Sequence, residues 1–177
     1  MSRDVAVESR PLLLTAADLM SDSLHFAGRR LPTLPTPCSE WQLGQLAHHV
    51  ADSALSLTEI IAGVAPWPTA ATGCTRARLS VIGLRHALAV APANEPVADL
   101  VTLTGAFELT VHAWDIDTSV GRTRRLPDDH VRALVSLAPI VLGNLDRAGI
   151  FGPSFPPPSP GANDMKRLLA LFGRRGG

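Results

Sequence analysis

Residues 107–115 carry the most informative pattern in the chain and read Phe107-Glu108-Leu109-Thr110-Val111-His112-Ala113-Trp114-Asp115. Positions four residues apart lie on one face of an α-helix, so a helix here places the carboxylate of Glu108 beside the imidazole of His112. Asp115 comes seven residues after Glu108 and returns close to the same face. Such a pair can bind one metal ion if another part of the chain supplies a third ligand.

Length and composition limit the classes of protein to consider. With 177 residues, we expect a single domain over residues 1–177 with one apolar core. Lys plus Arg and Asp plus Glu both number 16, so there is no basic excess to favour binding to nucleic acid or to an anionic membrane. The sequence has no signal-peptide pattern, no membrane span and only two cysteines, Cys38 and Cys74, so we expect a reducing, cytoplasmic location.

Apolar residues recur at three- to four-residue spacing, which predicts an all-α protein. We expect helices over residues 9–28, 42–63, 75–91, 98–119, 127–146 and 162–172. Pro11 suits the first turn of the first helix, and Gly105 either lies within the fourth helix or marks its start. Proline-rich straps are expected at 29–41 and 149–161. About four of these helices would form a bundle, with shorter helices and straps around it.

The second predicted helix offers the third ligand. His48 and His49 both lie in it, but neighbouring residues point about 100° apart on a helix, so only one can face a given partner. His49 lies near the apolar face and can look into the core or into a site at its edge. Bundles place metal sites between facing helices, and three nitrogen and oxygen ligands leave coordination positions open, as catalytic sites do. Such ligands suit zinc, and also iron, nickel or manganese.

The same residues have interpretations without a function. A Glu and a His at this spacing are often a solvated pair, and a histidine such as His49 is often a boundary residue. Asp115 either orients a ligating histidine or remains a surface acid. The remaining candidates are expected to be packing residues (Trp41, Trp114), an inert thiol (Cys38), and surface or boundary histidines (His25, His86, His130).

Three motifs resemble one family. Residues 36–41, Thr36-Pro37-Cys38-Ser39-Glu40-Trp41, followed by Leu46-Ala47-His48-His49, are similar to the T-P-C-x-x-W … L-x-x-H signature of the mycothiol-dependent maleylpyruvate isomerase metal-binding-domain family. Residues 108–115 resemble its E-x-x-x-H-x-W-D motif. Residues 151–174 resemble the F-G-P … L-L-A-L-x-G-R ending of an actinobacterial subgroup described only as metal-binding. The resemblance covers most of residues 30–175.

The resemblance implies a fold and a ligand set. The family has a DinB-like four-helix bundle, and its first ligating histidine falls eight residues after the motif tryptophan, which is His49 here and not His48. Its other two ligands fall on Glu108 and His112. The chain departs from the family at Gln42-Leu43-Gly44-Gln45, a weaker helix cap than usual. It also ends without the sterol-carrier-like domain that helps form the isomerase substrate site, so maleylpyruvate itself is not the expected substrate.

We therefore expect a metal-dependent enzyme, with zinc as the first candidate metal and mycothiol as the candidate thiol cosubstrate. It would act on a small electrophilic molecule by isomerisation or S-conjugation. The alternatives are a non-catalytic metal-binding or stress-type protein, a metal-assisted hydrolase, and a helical bundle whose His and Glu residues are incidental. The expected partners are a small-molecule substrate and a second copy of the chain in a homodimer.

Overall fold

The protein is all-helical in the residues that the computed structural model describes, namely 2–39, 41–63, 65, 69–91, 96–143, 154 and 162–175, with side chains from residue 9 onward except those of 96–98. The helices are α1 (Ser2–Ala27), α2 (Leu43–Ala62), α3 (Gly73–Val90), α4 (Pro96–Ser119), α5 (Asp128–Leu142) and α6 (Asp164–Leu171). Extended structure within these residues amounts to one isolated bridge, between Pro35 and Gln42. The all-α prediction is confirmed.

The chain divides into two compact units, Met1–Thr123 and Arg124–Gly177. In the first, α1 packs against α4 and α3, and α2 packs against α3 and α4, which makes a four-helix core. The largest fully buried side chains of this core include Leu13, Met20, Leu24, Leu46, Leu84, Leu103, Phe107 and Ile116. A single domain over residues 1–177 stays a prediction. No helix of the described chain is both long enough and apolar enough to cross a membrane.

The start of α1 differs from the prediction. The helix begins at Ser2, and Pro11 lies inside it instead of in its first turn. Proline removes one backbone hydrogen bond from a helix interior, so the helix continues only where other contacts hold it. Arg10 provides such contacts, because its guanidinium donates to the carbonyl oxygen of Leu88 at 2.9 Å and to that of Ala91 at 2.6 Å, at the end of α3.

Gly105 lies within α4 and does not mark its start. A Cβ atom at this position would lie 2.8 Å from Cδ1 of Leu57 in α2 and 3.3 Å from Cδ1 of Leu13 in α1. The missing side chain therefore lets α4 approach both neighbouring helices closely. This approach brings the next turns of α4, which carry Glu108 and His112, against α2.

The first strap, described at residues 29–39 and 41, is folded onto the start of α2. The N–H of Leu43 donates to the carbonyl of Leu34 at 2.9 Å, and the N–H of Gly44 donates to that of Pro32 at 2.7 Å. These bonds satisfy two of the amides that a helix N-terminus leaves without partners. Gly44 permits the contact, because a Cβ there would lie 2.8 Å from Cβ of Pro32. The Gln45 side chain also accepts from the N–H of Gln42 at 3.0 Å.

In the second unit, α5 packs against α6. His130 was expected at the surface or boundary, but it is only 6% exposed, and burial lowers its pKa to about 4. It lies four residues before the buried Leu134, on the inner face of α5. The predicted extension of this helix to residue 146, the second strap and the start of the tail motif lie outside the described residues, apart from Gly143 and Ser154.

Candidate metal centre

His49 of α2 and Glu108 and His112 of α4 come together into one cluster, which we call the His–Glu–His group. Each residue offers one ligand atom, and these atoms all lie within 4.8 Å of one another. The Nε2 atom of His49 lies 2.9 Å from Oε1 of Glu108. Ligand atoms at about 2.1 Å around a tetrahedral zinc ion lie about 3.4 Å apart. Small side-chain movements would therefore place all three around one ion.

Helical spacing builds the α4 part of the group. Glu108 and His112 are one turn apart, so their side chains project from the same face. Packing of α2 against α4 brings His49 to that face. The neighbouring His48 points elsewhere: its ring is 70% exposed, and its Nδ1 lies 2.9 Å from Oδ2 of Asp52. The group thus contains His49 and not His48.

Asp115 fixes the orientation and the tautomer of His112. Both side chains are buried, and Nδ1 of His112 lies 2.9 Å from Oδ2 of Asp115. Because an ionised carboxylate only accepts hydrogen bonds, Asp115 accepts from Nδ1, and the neutral form of His112 then carries its lone pair on Nε2. That nitrogen is then ready to bind a cation, as in other metal sites where a carboxylate supports a histidine ligand. Of the two roles left open for Asp115, the structure therefore favours orienting a histidine.

Glu108 carries the feature that fits a cation most directly. Its Oε1 atom is buried and, within the described part of the chain, has no hydrogen-bond partner of acceptable geometry, although His49 is within ion-pair distance. A bound cation would supply the well-aligned partner that this buried oxygen lacks. Burial raises the pKa of Glu108, but the His49 ring, the charge of His112 and the Ser53 hydroxyl outweigh it, so the pKa is lowered. The side chain is thus charged at neutral pH, as a metal ligand must be.

Trp41, at the end of the first strap, contacts both imidazoles of the group. Its ring centroid lies 4.2 Å from that of His49 and 5.8 Å from that of His112. The two imidazoles are themselves 5.3 Å apart and nearly perpendicular. We expected Trp41 to be a packing residue only. The available signal was that Trp41 and His49 belong to the same sequence motif at a spacing of eight residues.

The other candidates are not part of the group. Trp114 is half-buried on α4, and Cys38 is a half-buried free thiol of the first strap. His25 and His86 are exposed, as expected. The sequence motifs therefore select three residues that the fold brings together, plus Trp41 and Asp115 in contact with them.

No protein-family model, curated protein or solved structure matches the chain. The fold and the site define a class, namely an all-helical protein with a His–Glu–His group between two helices of a four-helix core. Two imidazoles and one carboxylate can hold a divalent ion and leave at least one coordination position for another molecule.

Proposed function

We propose that the chain is a DinB-like, metal-dependent enzyme that uses a low-molecular-weight thiol, mycothiol first among them, on a small electrophilic molecule. The observation that carries the proposal is the His–Glu–His group, in which, within the described residues, a buried oxygen of Glu108 has only the contact with Nε2 of His49 at 2.9 Å and His112 presents Nε2. Structural zinc sites are normally closed by four protein ligands, whereas catalytic sites have three. A thiol cosubstrate is proposed because residues 36–49 and 108–115 resemble the motifs of a mycothiol-dependent family.

The residues of the chain have distinct roles in this proposal. His49, Glu108 and His112 hold the metal, with zinc as the first candidate for this set of donors. When bound, a divalent cation supplies a Lewis-acid position at which a thiol ionises near neutral pH. Asp115 keeps the proton on Nδ1 of His112, so that Nε2 stays free to bind. Trp41 lies against both imidazoles.

The proposed reaction begins with loss of the thiol proton to solvent. The sulfur then forms a C–S bond with the electrophilic carbon, and the displaced electron pair moves onto the substrate. Protonation of this carbanion completes S-conjugation of an activated alkene, whereas an aryl halide releases halide instead. Alternatively, rotation about the former double bond, which is single in the adduct, is followed by cleavage of the C–S bond, which expels the thiolate and leaves an isomerised alkene. Both outcomes need the same metal group and the same thiol.

Metal analysis of the purified protein tests the proposal first. We expect about one equivalent of divalent metal in the wild-type chain and in a His48→Ala control, and negligible metal in His112→Ala. Negligible metal in the wild type, also after addition of Zn²⁺, would contradict the proposal.

Thiol-dependent activity is the second test. We expect the metal-loaded protein to consume an activated alkene or an aryl halide only when a thiol is present, and His112→Ala to be inactive. Bound metal without activity toward any electrophile would instead favour a non-catalytic metal-binding protein. Ester hydrolysis that does not depend on a thiol would favour a metal-assisted hydrolase.

A further inference from the structure

The two histidines of the His–Glu–His group differ in what holds their rings. His112 is buried and hydrogen-bonded to Asp115. The side chain of His49 is 32% exposed, and within the described residues we find no hydrogen bond to its Nδ1. A partly exposed side chain changes rotamer readily, whereas a metal ligand must stay in one orientation. The Nε2 atom of His49 lies 2.9 Å from Oε1 of Glu108, but a metal ion bound between these atoms would replace that contact, so another contact on the ring is needed to fix it.

The indole of Trp41 provides that contact. The rings of Trp41 and His49 lie 4.2 Å apart between centroids, with an angle of 35° between their planes. The two rings are tilted and in direct contact, since their centroids lie slightly closer than the roughly 4.5–7 Å usual for aromatic pairs. The same indole reaches His112 at 5.8 Å, so it lies against both imidazoles. In this position it restricts rotation of His49 away from Glu108.

Trp41 can do this because its own backbone is held at both ends. Its N–H donates to the carbonyl of Cys38 at 3.0 Å, and its carbonyl accepts from the Thr36 hydroxyl at 2.7 Å. Just after Trp41, the N–H groups of Leu43 and Gly44 at the start of α2 donate to carbonyl oxygens of the strap. The helix that carries His49 and the strap that carries Trp41 are thus joined within one turn of the tryptophan.

We propose that Trp41 is a positioning residue that holds the His49 ring in its metal-binding orientation. The inference rests on the proposed metal site, but it concerns a residue outside the ligand set. In this arrangement Asp115 orients one histidine through a hydrogen bond, and Trp41 orients the other through ring contact. Removal of the indole leaves all three ligands in place and weakens metal binding through His49 alone.

The test uses metal-free full-length protein titrated with Zn²⁺ in competition with a chromophoric chelator. Trp41→Leu removes the flat ring but keeps apolar volume, Trp41→Phe keeps a ring, and His49→Ala removes the ligand. Trp114→Leu is the matched control, a tryptophan lost from the same unit. We expect Trp41→Leu to bind Zn²⁺ about two- to tenfold more weakly, the range that corresponds to aromatic pair energies. Trp41→Phe and Trp114→Leu should bind nearly as the wild type does.

The absorption spectrum of bound Co²⁺ separates positioning from general loosening, because it reports the number and geometry of the ligands. We expect the Trp41→Leu spectrum to shift toward that of His49→Ala and the Trp41→Phe spectrum to match the wild type. Wild-type affinity and spectrum in Trp41→Leu would overturn the inference and leave the proposed function intact. Equal losses in Trp41→Leu and Trp114→Leu would also overturn it. A wild-type chain that binds neither Zn²⁺ nor Co²⁺ would overturn both proposals.

Nuclear magnetic resonance of the wild-type protein provides a test that does not depend on a folded variant. A histidine ring stacked on an indole experiences its ring current. We expect one set of His49 ring resonances, shifted upfield and showing contacts to Trp41 in the metal-free state. Resonances of His49 without that shift, or several sets of them, would overturn the inference.

Discussion

His112 and His49 reach the same group from different surroundings. The α4 side is local: Glu108, His112 and Asp115 lie within eight residues of one helix, and the supporting hydrogen bond is buried. The α2 side depends on contacts between separate segments, because His49 is partly exposed and is contacted by Trp41 from the strap. The α4 half of the site, with Glu108, His112 and Asp115, is therefore produced by helical periodicity. The α2 half, with His49 and Trp41, is produced by packing. Substitutions in the two halves should therefore have different effects.

The largest effects are expected when a ligand is removed. His112→Ala and His49→Ala should both reduce Zn²⁺ affinity by more than the roughly 10- to 100-fold loss that follows removal of a supporting partner. Their effects on folding should differ. His112→Ala breaks a buried hydrogen bond to a carboxylate and should lower the free energy of unfolding by about 1–3 kcal/mol. His49→Ala changes a partly exposed position and should cost about 1 kcal/mol or less.

Urea unfolding of the metal-free variants measures this difference, and chelator competition measures the affinities. Equal destabilisation by the two substitutions would show that the α2 half is as firmly built as the α4 half. Wild-type affinity in either variant would remove that residue from the ligand set.

The next largest effect is expected at Asp115. Asp115→Asn should weaken Zn²⁺ binding about 10- to 100-fold, because an amide can donate to Nδ1 of His112 and place the ring proton on Nε2. Asp52→Asn is a matched control, since Asp52 contacts Nδ1 of the exposed His48 at the same distance of 2.9 Å. Chelator competition should show no change in the control. A similar loss in both variants would mean that overall charge, not His112 orientation, causes the effect.

The same contrast explains how far the sequence predicts the structure. Helical periodicity identifies the all-α fold and places Glu108 and His112 on one face, because both depend on spacing along the chain. The motif resemblance adds His49. Neither the spacing nor the resemblance indicates whether Asp115 orients His112 or remains a surface acid, because this depends on whether the fold buries Asp115. Trp41 was missed as a contact of the group because its position depends on how the strap folds onto α2.

Two other predictions from the sequence differ from the structure for similar reasons. The prediction that α1 starts near Pro11 is wrong, because α1 begins at Ser2 and Arg10 bonds to carbonyl oxygens at the end of α3, a contact that helical periodicity cannot indicate. The prediction that His130 lies near the surface is wrong, because a single histidine gives no indication of which helix face the core covers. In each case a contact distant in sequence overrides a local rule.

A smaller effect is expected at Gly44, which tests whether the strap supports the α2 half. A Cβ there would lie 2.8 Å from Cβ and 3.2 Å from the carbonyl oxygen of Pro32, so Gly44→Ala should displace the strap and cost about 1–3 kcal/mol of stability. Gly83→Ala is the control, since nothing lies within 4 Å of a Cβ at this exposed helical position. It should stabilise by about 0.5–1 kcal/mol.

Thermal unfolding and Zn²⁺ competition measure both consequences. Gly44→Ala should also weaken Zn²⁺ binding, though no more than Trp41→Leu does, because the ligands themselves remain. Unchanged affinity in a clearly destabilised Gly44→Ala protein would separate the strap from the site.

The smallest effect is expected from acid, through Glu108, the residue that links the halves. Burial raises its pKa, but the contacts with His49, His112 and Ser53 prevail and lower it. A lowered pKa in the folded state means that the ionised carboxylate adds stability above its unfolded pKa, about 4.3, and that this contribution is lost as the pH falls through the folded pKa. Metal-free wild type should therefore lose stability on acidification below about pH 4.3 more steeply than Glu108→Gln does.

Urea unfolding between neutral and strongly acidic pH measures the two slopes. Since His49 provides one of the contacts that lower the pKa, His49→Ala should bring the acid slope closer to that of Glu108→Gln. Its own partial exposure keeps this change small, because solvent screens the interaction. Equal slopes in wild type and Glu108→Gln would mean that the carboxylate gains nothing from the imidazoles around it. An unchanged slope in His49→Ala would instead show that the Glu108 carboxylate is held by its remaining contacts with His112 and Ser53 and gains nothing from His49.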